Sequence, residues 1–339
     1  MSGARRRLRI LAWPGMPAPA ALAEAGRRLG VAVEADVVSS NERLEALLDE
    51  READGGEGAY DLICPSDYLV QRLRAGGRLL ALEREVLALD RLSDWALAAA
   101  HDEGCRVSVP LAFGTTGYLC DARAPDPGSW SALFAPQGGA RVGMLDEPRE
   151  VVGAALLALG MSPNATGAEE LRAARALLER QRPSVARYDS DDFVGPVADG
   201  RVRAHQAWSG PAAAAVRRDA GLRYAVPAEG AVLWVTTAAI PASARDPEAS
   251  HRLLAELLDP ELAAVTTATQ GFATPNEQAR RRLAPAVRDD PSLFPDARTL
   301  GRCHALADLG DHERAILDVF AVATGRGPCA RARGAVQPP

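Results

Sequence analysis

Apolar residues recur along this chain with two alternating periods. Residues 8–12 form a short continuous apolar run of the kind a buried strand makes. An Ala/Leu-rich helical pattern follows, opened by Pro17 and closed by Gly30, the usual punctuation of a helix. Residues 31–38 are β-branched and strand-like, and Ser39 with Glu42 reads as a capping box starting a helix through about Leu48. A second apolar run, 60–64, turns at Pro65, Ser66 and Asp67 into a helix that ends at Gly76 and Gly77. This alternation predicts an α/β fold built on a parallel sheet with right-handed crossovers. Ligands of such sheets sit beyond the carboxyl ends of the strands, which directs attention to the loops 13–16 and 65–68.

The middle of the chain repeats the pattern. Residues 117–120 and 141–145 read as strands, 147–159 as a helix behind the second, and 169–181 as a long amphipathic helix. Two further strands are expected at 222–226 and 231–239, with loops at 124–128 and 161–167 and a frayed tail from 325. No fixed-period repeat is present.

Composition narrows the class. A chain of 339 residues, 47% hydrophobic and 25% charged, is long enough for two domains with separate cores. The net charge is −6 and every basic side chain except histidine is Arg; the chain contains no Lys. A mildly acidic chain without a basic block is poorly suited to nucleic acid and well suited to a cation. No apolar run approaches the roughly 20 residues of a membrane helix. Arg5, Arg6 and Arg7 before residues 8–13 mimic a signal peptide, but Pro14, Gly15, Pro17 and Pro19 interrupt the apolar region it requires. No export signal is therefore read in the chain.

Candidate chemistry is thin. The five cysteines (Cys64, Cys105, Cys120, Cys303, Cys329) show no paired motif or His at ligand spacing, so neither a zinc site nor a disulfide framework is expected. The five histidines (101, 205, 251, 304, 312) share no spacing and read as surface residues. Nucleophile elbow, metalloprotease, P-loop and dinucleotide motifs are all missing, so no catalytic residue, metal or cofactor is expected. The aromatic residues, 5% of the chain, say more. Trp13 follows a strand and precedes a Pro–Gly turn, Tyr68 follows Pro–Ser–Asp, Trp208 precedes Ser–Gly–Pro, and Trp234 lies within a strand. Each alone is an ordinary packing residue; several at loop edges of an α/β sheet suit a box for ammonium groups and methylene chains. Asp146, Glu147 and Glu150 open the helix after the 141–145 strand, and i, i+3 spacing places Glu147 and Glu150 on one face. Capping of that helix explains them equally well.

Several segments carry a family likeness in order and spacing. They are Leu11-Ala-Trp13, Tyr60-Asp-Leu-Ile-Cys-Pro-Ser-Asp-Tyr68, Val109-Pro, Asp146-Glu-Pro-Arg-Glu-Val151, Ala207-Trp-Ser-Gly210, Trp234, Ala239-Ile-Pro241, Gly271-Phe-Ala-Thr-Pro-Asn276 and Phe294-Pro-Asp296. On these, residues 8–324 resemble the periplasmic spermidine/putrescine-binding proteins, the substrate-binding subunits of polyamine ABC importers. The resemblance implies a type II periplasmic-binding-protein fold in which two α/β lobes, joined by crossing strands, close on a small cationic ligand by hinge motion. Lobe 1 is then expected over 8–113 with 236–276, lobe 2 over 114–235 with 277–324, and 325–339 as a disordered tail. It also implies a monomer outside the cytoplasm that serves membrane permease subunits.

Carried over by position, Trp13, Tyr68, Trp208 and Trp234 form the aromatic box, Ser66 adds a hydroxyl, and Glu147 and Glu150 pair with a terminal ammonium. The chain departs from the family at Thr236, where an acid is usual, and at Phe272, Met16 and Leu306. Asp67 is a substitute for the missing acid; otherwise the ligand carries fewer amines than spermidine, or one cationic end and an apolar remainder. Three alternatives stay open: the same fold binding another organic cation or an amine-bearing acid, an intracellular ligand sensor, and an enzyme using Glu147 and Glu150 as an acid/base pair.

Overall fold

The computed structural model describes residues 6–53, 59–123 and 128–326, and the chain divides into two compact units. The described residues form strands β1 (Arg7–Ala12), β2 (Ala32–Val37), β3 (Leu62–Ile63), β4 (Ser108–Asp121), β5 (Val142–Met144), β6 (Val185–Tyr188), β7 (Ala204–Trp208), β8 (Leu222–Ala225), β9 (Val232–Ala239) and β10 (His304–Ala305).

In the first unit β1 lies parallel to β2 on one side and β3 on the other, and β9 pairs antiparallel with β3 through Ile63 and Ala239. Alternation along β1 sends Leu8 and Ile10 to a core with Leu22 of helix Pro19–Leu29 and Leu253 and Leu254 of helix Pro247–Leu257. Leu11 points to the opposite face, among Leu44 and Leu48 of helix Asn41–Ala53 and Leu69 and Leu73 of helix Asp67–Ala75. Helices thus cover both faces of a mainly parallel sheet, as the alternating pattern predicts. Two boundaries differ. The first helix begins at Pro19 rather than Pro17, and the second is capped by Ser40, whose Oγ accepts the Arg43 N–H at 3.1 Å, rather than by a Ser39–Glu42 box.

In the second unit β5 runs parallel to β6 and β7, whereas β4 runs antiparallel to β7 and β8. The sheet is therefore mixed, not wholly parallel. The antiparallel β4 and β9 are the strands within which the chain changes unit, and neither is produced by a strand–helix–strand crossover. Tyr118, Val142 and Met144 share one core with Val152 and Leu156 of helix Pro148–Ala158, Leu178 of helix Ala168–Gln181 and Phe320 of helix Glu313–Thr324. Leu119, Leu145 and Ala207 share another with Ala212 of helix Ser209–Arg218.

The chain passes to the second unit after Phe113, returns after Trp234, and passes again after Asp289. Residues 277–289, expected in lobe 2, belong to the first unit. Asn276 roots them there: its Oδ1 accepts the Gln278 and Ala279 N–H groups at 3.0 and 2.9 Å, while its Nδ2 donates to the Leu258 carbonyl at 2.9 Å. Three histidines read as surface residues are buried instead. His101 is enclosed, His205 donates from Nδ1 to the Gln206 carbonyl (2.7 Å), and His251 Nε2 accepts the Glu83 N–H (3.0 Å). Burial pushes His101 and His205 each down to about 4, so both stay neutral at physiological pH. Among the described residues, Cys64, Cys105, Cys120 and Cys303 form no disulfide. Gly325, with φ 70°, closes the last helix and Arg326 is bonded into the fold, so these two residues are not part of the tail expected from 325. Cys329, the rest of that tail and most of the 124–128 loop lie outside the described residues.

Candidate functional site

In the first unit the chain turns sharply after β1. Met16 N–H donates to the Trp13 carbonyl at 3.1 Å, with Pro14 and Gly15 at the corners and Gly15 at φ 70°. A Cβ at Gly15 would lie 2.1 Å from Gln270 Oε1, so the turn sits directly against the end of helix Pro260–Gln270, two residues before Phe272. The neighbouring parallel strand β3 leads into Pro65 and Ser66 at the same sheet edge, and Ser66 bridges Thr236 on β9. Thr237 locks this arrangement through its N–H and Oγ, both donating to the Pro65 carbonyl at 3.0 and 2.9 Å. Trp13, Ser66, Thr236 and Phe272 are thus gathered at one edge, the edge that the strand order points to.

Most polar groups there are already used. Ser66 N–H donates to Asn41 Oδ1 (3.1 Å), and the Tyr68 hydroxyl reaches Glu42 Oε1 (3.5 Å). Asp67, proposed above as a substitute charge, is buried in the first helical turn with Oδ1 accepting the Tyr68 N–H at 2.9 Å, which makes it part of the helix start. Met16 is fully enclosed, whereas Trp13 and Phe272 are half-buried. Trp13 Nε1 is buried and has no hydrogen-bond partner.

The second unit has a different character. β5 and β7 are parallel neighbours, so the acidic segment after β5 and Trp208 at the end of β7 leave the same edge. Glu147 is the residue before helix Pro148–Ala158, with extended backbone (φ −131°, ψ 106°) and no side-chain capping bond. The helical i, i+3 argument therefore does not apply to Glu147 and Glu150; Glu147 is the N-cap residue by backbone, its carbonyl accepting the Val151 N–H at 2.9 Å, but its side chain makes no capping bond. Asp146, in contrast, is bonded to Arg326 at 2.8 Å, and the Arg326 guanidinium lies 5.6 Å from the centre of the Tyr188 ring. Asp146 N–H also donates to Ser190 Oγ at 2.9 Å.

Glu150 stands apart from its neighbours. It is only 8% exposed, and its Oε2 makes no hydrogen bond of ordinary geometry. Burial pushes its carboxyl up to about 7; the nearby Thr116 hydroxyl, then the Trp208 side chain, then the charge of Arg149 oppose that rise. Arg149 does not neutralise it directly, since its guanidinium is committed to Glu313 (3.4 Å), Asn164 (3.1 Å) and the Ala307 carbonyl (3.0 Å). The Glu150 carbonyl accepts Gln206 Nε2 at 2.9 Å, so buried Gln206 of β7 holds the first turn of the helix against the sheet.

Trp208 packs edge-on against Phe193, centroids 6.0 Å apart. Trp234 lies over Gly114, where a Cβ would meet its ring at 2.2 Å and Ser209 Oγ at 2.6 Å. That close approach requires glycine. Thr116, Gln206 and Gly114 were missed in the sequence, although the polar Gly–Thr–Thr–Gly interruption at 114–117 of an otherwise apolar strand was a usable signal. Leu306, paired with Met16 as an apolar departure, is buried in this unit. Among the described residues no group of three or more His, Cys, Asp or Glu side chains is placed to hold a metal, and no helix is long and apolar enough to cross a membrane.

Fold and sequence likeness together define a solute-binding protein. The chain belongs to the family of bacterial extracellular solute-binding proteins, whose sequence profile matches residues 20–295. It is 33% identical over 303 residues to the spermidine/putrescine-binding periplasmic protein of Salmonella typhimurium, covering 88% of this chain and 86% of that one. It is also 32% identical over 279 residues to the putrescine/cadaverine-binding protein of Pseudomonas aeruginosa, covering 78% and 79%. Its fold superposes with a TM-score of 0.82, at 23% identity, on the spermidine/putrescine ABC transporter substrate-binding protein of Streptococcus pneumoniae, covering 94% of this chain and 99% of that one. The fold class is accordingly the type II periplasmic-binding-protein class expected above.

Proposed function

We propose that this chain is the solute-binding subunit of an ABC importer, that its ligand is a small polyamine of the putrescine or spermidine type, and that it performs no chemistry on it. The carrying observation is Glu150: a carboxyl enclosed by protein, with one oxygen unpartnered and its pKa raised to about 7. An arriving ammonium turns that group from a liability into a charge-assisted hydrogen bond. Trp208 and Trp234 of the same unit add aromatic surface that attracts ammonium groups and packs on methylene chains. Trp13, Tyr68, Phe272, Ser66 and Thr236 give the first unit an aromatic and hydroxyl-bearing edge with little free charge. The names of the relatives support a polyamine and a place outside the cytoplasm, and the name of the Streptococcus pneumoniae protein supports an ABC transporter as partner; the reading includes a protein that acts as a monomer.

Isothermal calorimetry with putrescine, cadaverine and spermidine, against arginine and 4-aminobutyrate as amine-bearing acids, tests this reading. Micromolar or tighter binding of at least one diamine or triamine is expected. Binding confined to the amine-bearing acids, or to none of these compounds, overturns it.

A further inference from the structure

We propose that Thr116 is a ligand-contacting residue that makes the Glu150 subsite selective for a primary ammonium over a quaternary one. The inference rests on the polyamine reading and sharpens it. Thr116 lies in β4 directly opposite Trp208 of β7 in the antiparallel register. Its side chain is 1% exposed, and its Oγ1, like Glu150 Oε2, is buried without a hydrogen-bond partner of ordinary geometry. The neighbouring threonine shows what a satisfied hydroxyl looks like here: Thr115 Oγ1 is 2.9 Å from the Tyr224 hydroxyl. The Thr116 hydroxyl lies beside the Glu150 carboxyl and its hydrogen serves that acid, which leaves the lone pairs of Oγ1 and of Glu150 Oε2 to accept from a donor.

A primary ammonium carries three N–H donors and can give one to Glu150 Oε2 and one to Thr116 Oγ1. A trimethylammonium has the same charge and no N–H donor. It keeps the charge attraction and the indole face of Trp208 but gives neither oxygen an N–H donor. Charge alone would not separate the two ligands; the hydroxyl does. Thr116→Val removes that hydroxyl at nearly constant volume and leaves Glu150 in place.

The test is calorimetry on the full chain with putrescine and with its bis-quaternary, fully N-methylated analogue. Thr116→Val is expected to weaken putrescine by about 10-fold or more, to leave the quaternary compound within about two-fold, and Thr116→Ser is expected to restore most of the loss. Thr116→Ala replaces the valine variant if the latter does not fold, as judged by far-UV circular dichroism. Putrescine binding within two-fold of wild type in the hydroxyl-less variant, or an equal loss for both ligands, overturns the assignment. A wild-type chain that binds no diamine at all overturns the polyamine reading beneath it.

Discussion

In the first unit Ser66 N–H ends on Asn41, Asp67 on the Tyr68 amide and the Tyr68 hydroxyl on Glu42, whereas in the second unit the enclosed Glu150 carboxyl has the neighbouring Thr116 hydroxyl, the Trp208 side chain and the charge of Arg149 to oppose its desolvation. At the first unit's edge these three groups are spent on the fold; in the second unit an enclosed carboxylate oxygen that makes no hydrogen bond of ordinary geometry is held in reserve. Such a reserve has a thermodynamic sign. A carboxyl held at about 7 when folded and near 4.5 when exposed loses its proton first in the unfolded chain, so stability falls as pH rises between those values. The full penalty, ~3 kcal/mol by that difference, is present above about 7 and absent below about 4.5. On the proposed reading, charge recognition belongs to the second unit, at the expense of its unliganded stability.

The strongest way to break this contrast is Glu150→Gln. It is expected to weaken polyamine binding by about 2–5 kcal/mol and, in the same protein, to raise the melting temperature of the unliganded form at neutral pH. Calorimetry and scanning calorimetry read the two halves of that prediction; a loss of both affinity and stability would mean that the residue is structural. Next comes pH. Ligand binding needs the ionised carboxylate, so affinity is expected to rise up to about ten-fold per pH unit from pH 5 and to level off above about 7, with proton release on binding below that point. Calorimetric titrations in buffers of different ionisation enthalpy measure both, and a flat profile argues against Glu150 as the charge partner. A smaller effect is expected from Thr236→Asp, which adds an acid to an edge that has little free charge. Spermidine should gain about 1 kcal/mol over wild type, and no change in the spermidine-to-putrescine ratio would remove Thr236 from the recognition set. Smallest is Tyr68→Phe. Since the hydroxyl is already turned to Glu42, affinity should stay within about two-fold, and a larger loss would show that the hydroxyl serves the ligand.

Much of this was legible in the sequence because it rests on periodicity and punctuation. The run at 8–12 and the run at 60–64 became adjacent parallel strands, and their following loops reached one edge, since an apolar run between turn residues has few other places to go. The acidic segment at 146–150 was visible too, but its geometry was not. Only the fold shows that Glu147 precedes the helix in extended conformation and that Glu150 is enclosed. Thr116 escaped notice because its partner in space, Trp208, is far along the chain, and register across an antiparallel pair carries no local signature. The histidines were misplaced for a similar reason: a polar local context says nothing of the helix or strand that packs over it.

The pinning of Asp146 by Arg326, and of Arg149 by Glu313, ties the acidic loop to a segment made 164 to 180 residues later during synthesis. The helix Glu313–Thr324 also contributes Ile316 and Phe320 to the core beneath that loop. A nascent chain therefore emerges from the ribosome with Glu150 encoded but not yet framed. That frame is closed only once the later segment has been made, and a message truncated before Glu313 yields a protein without it.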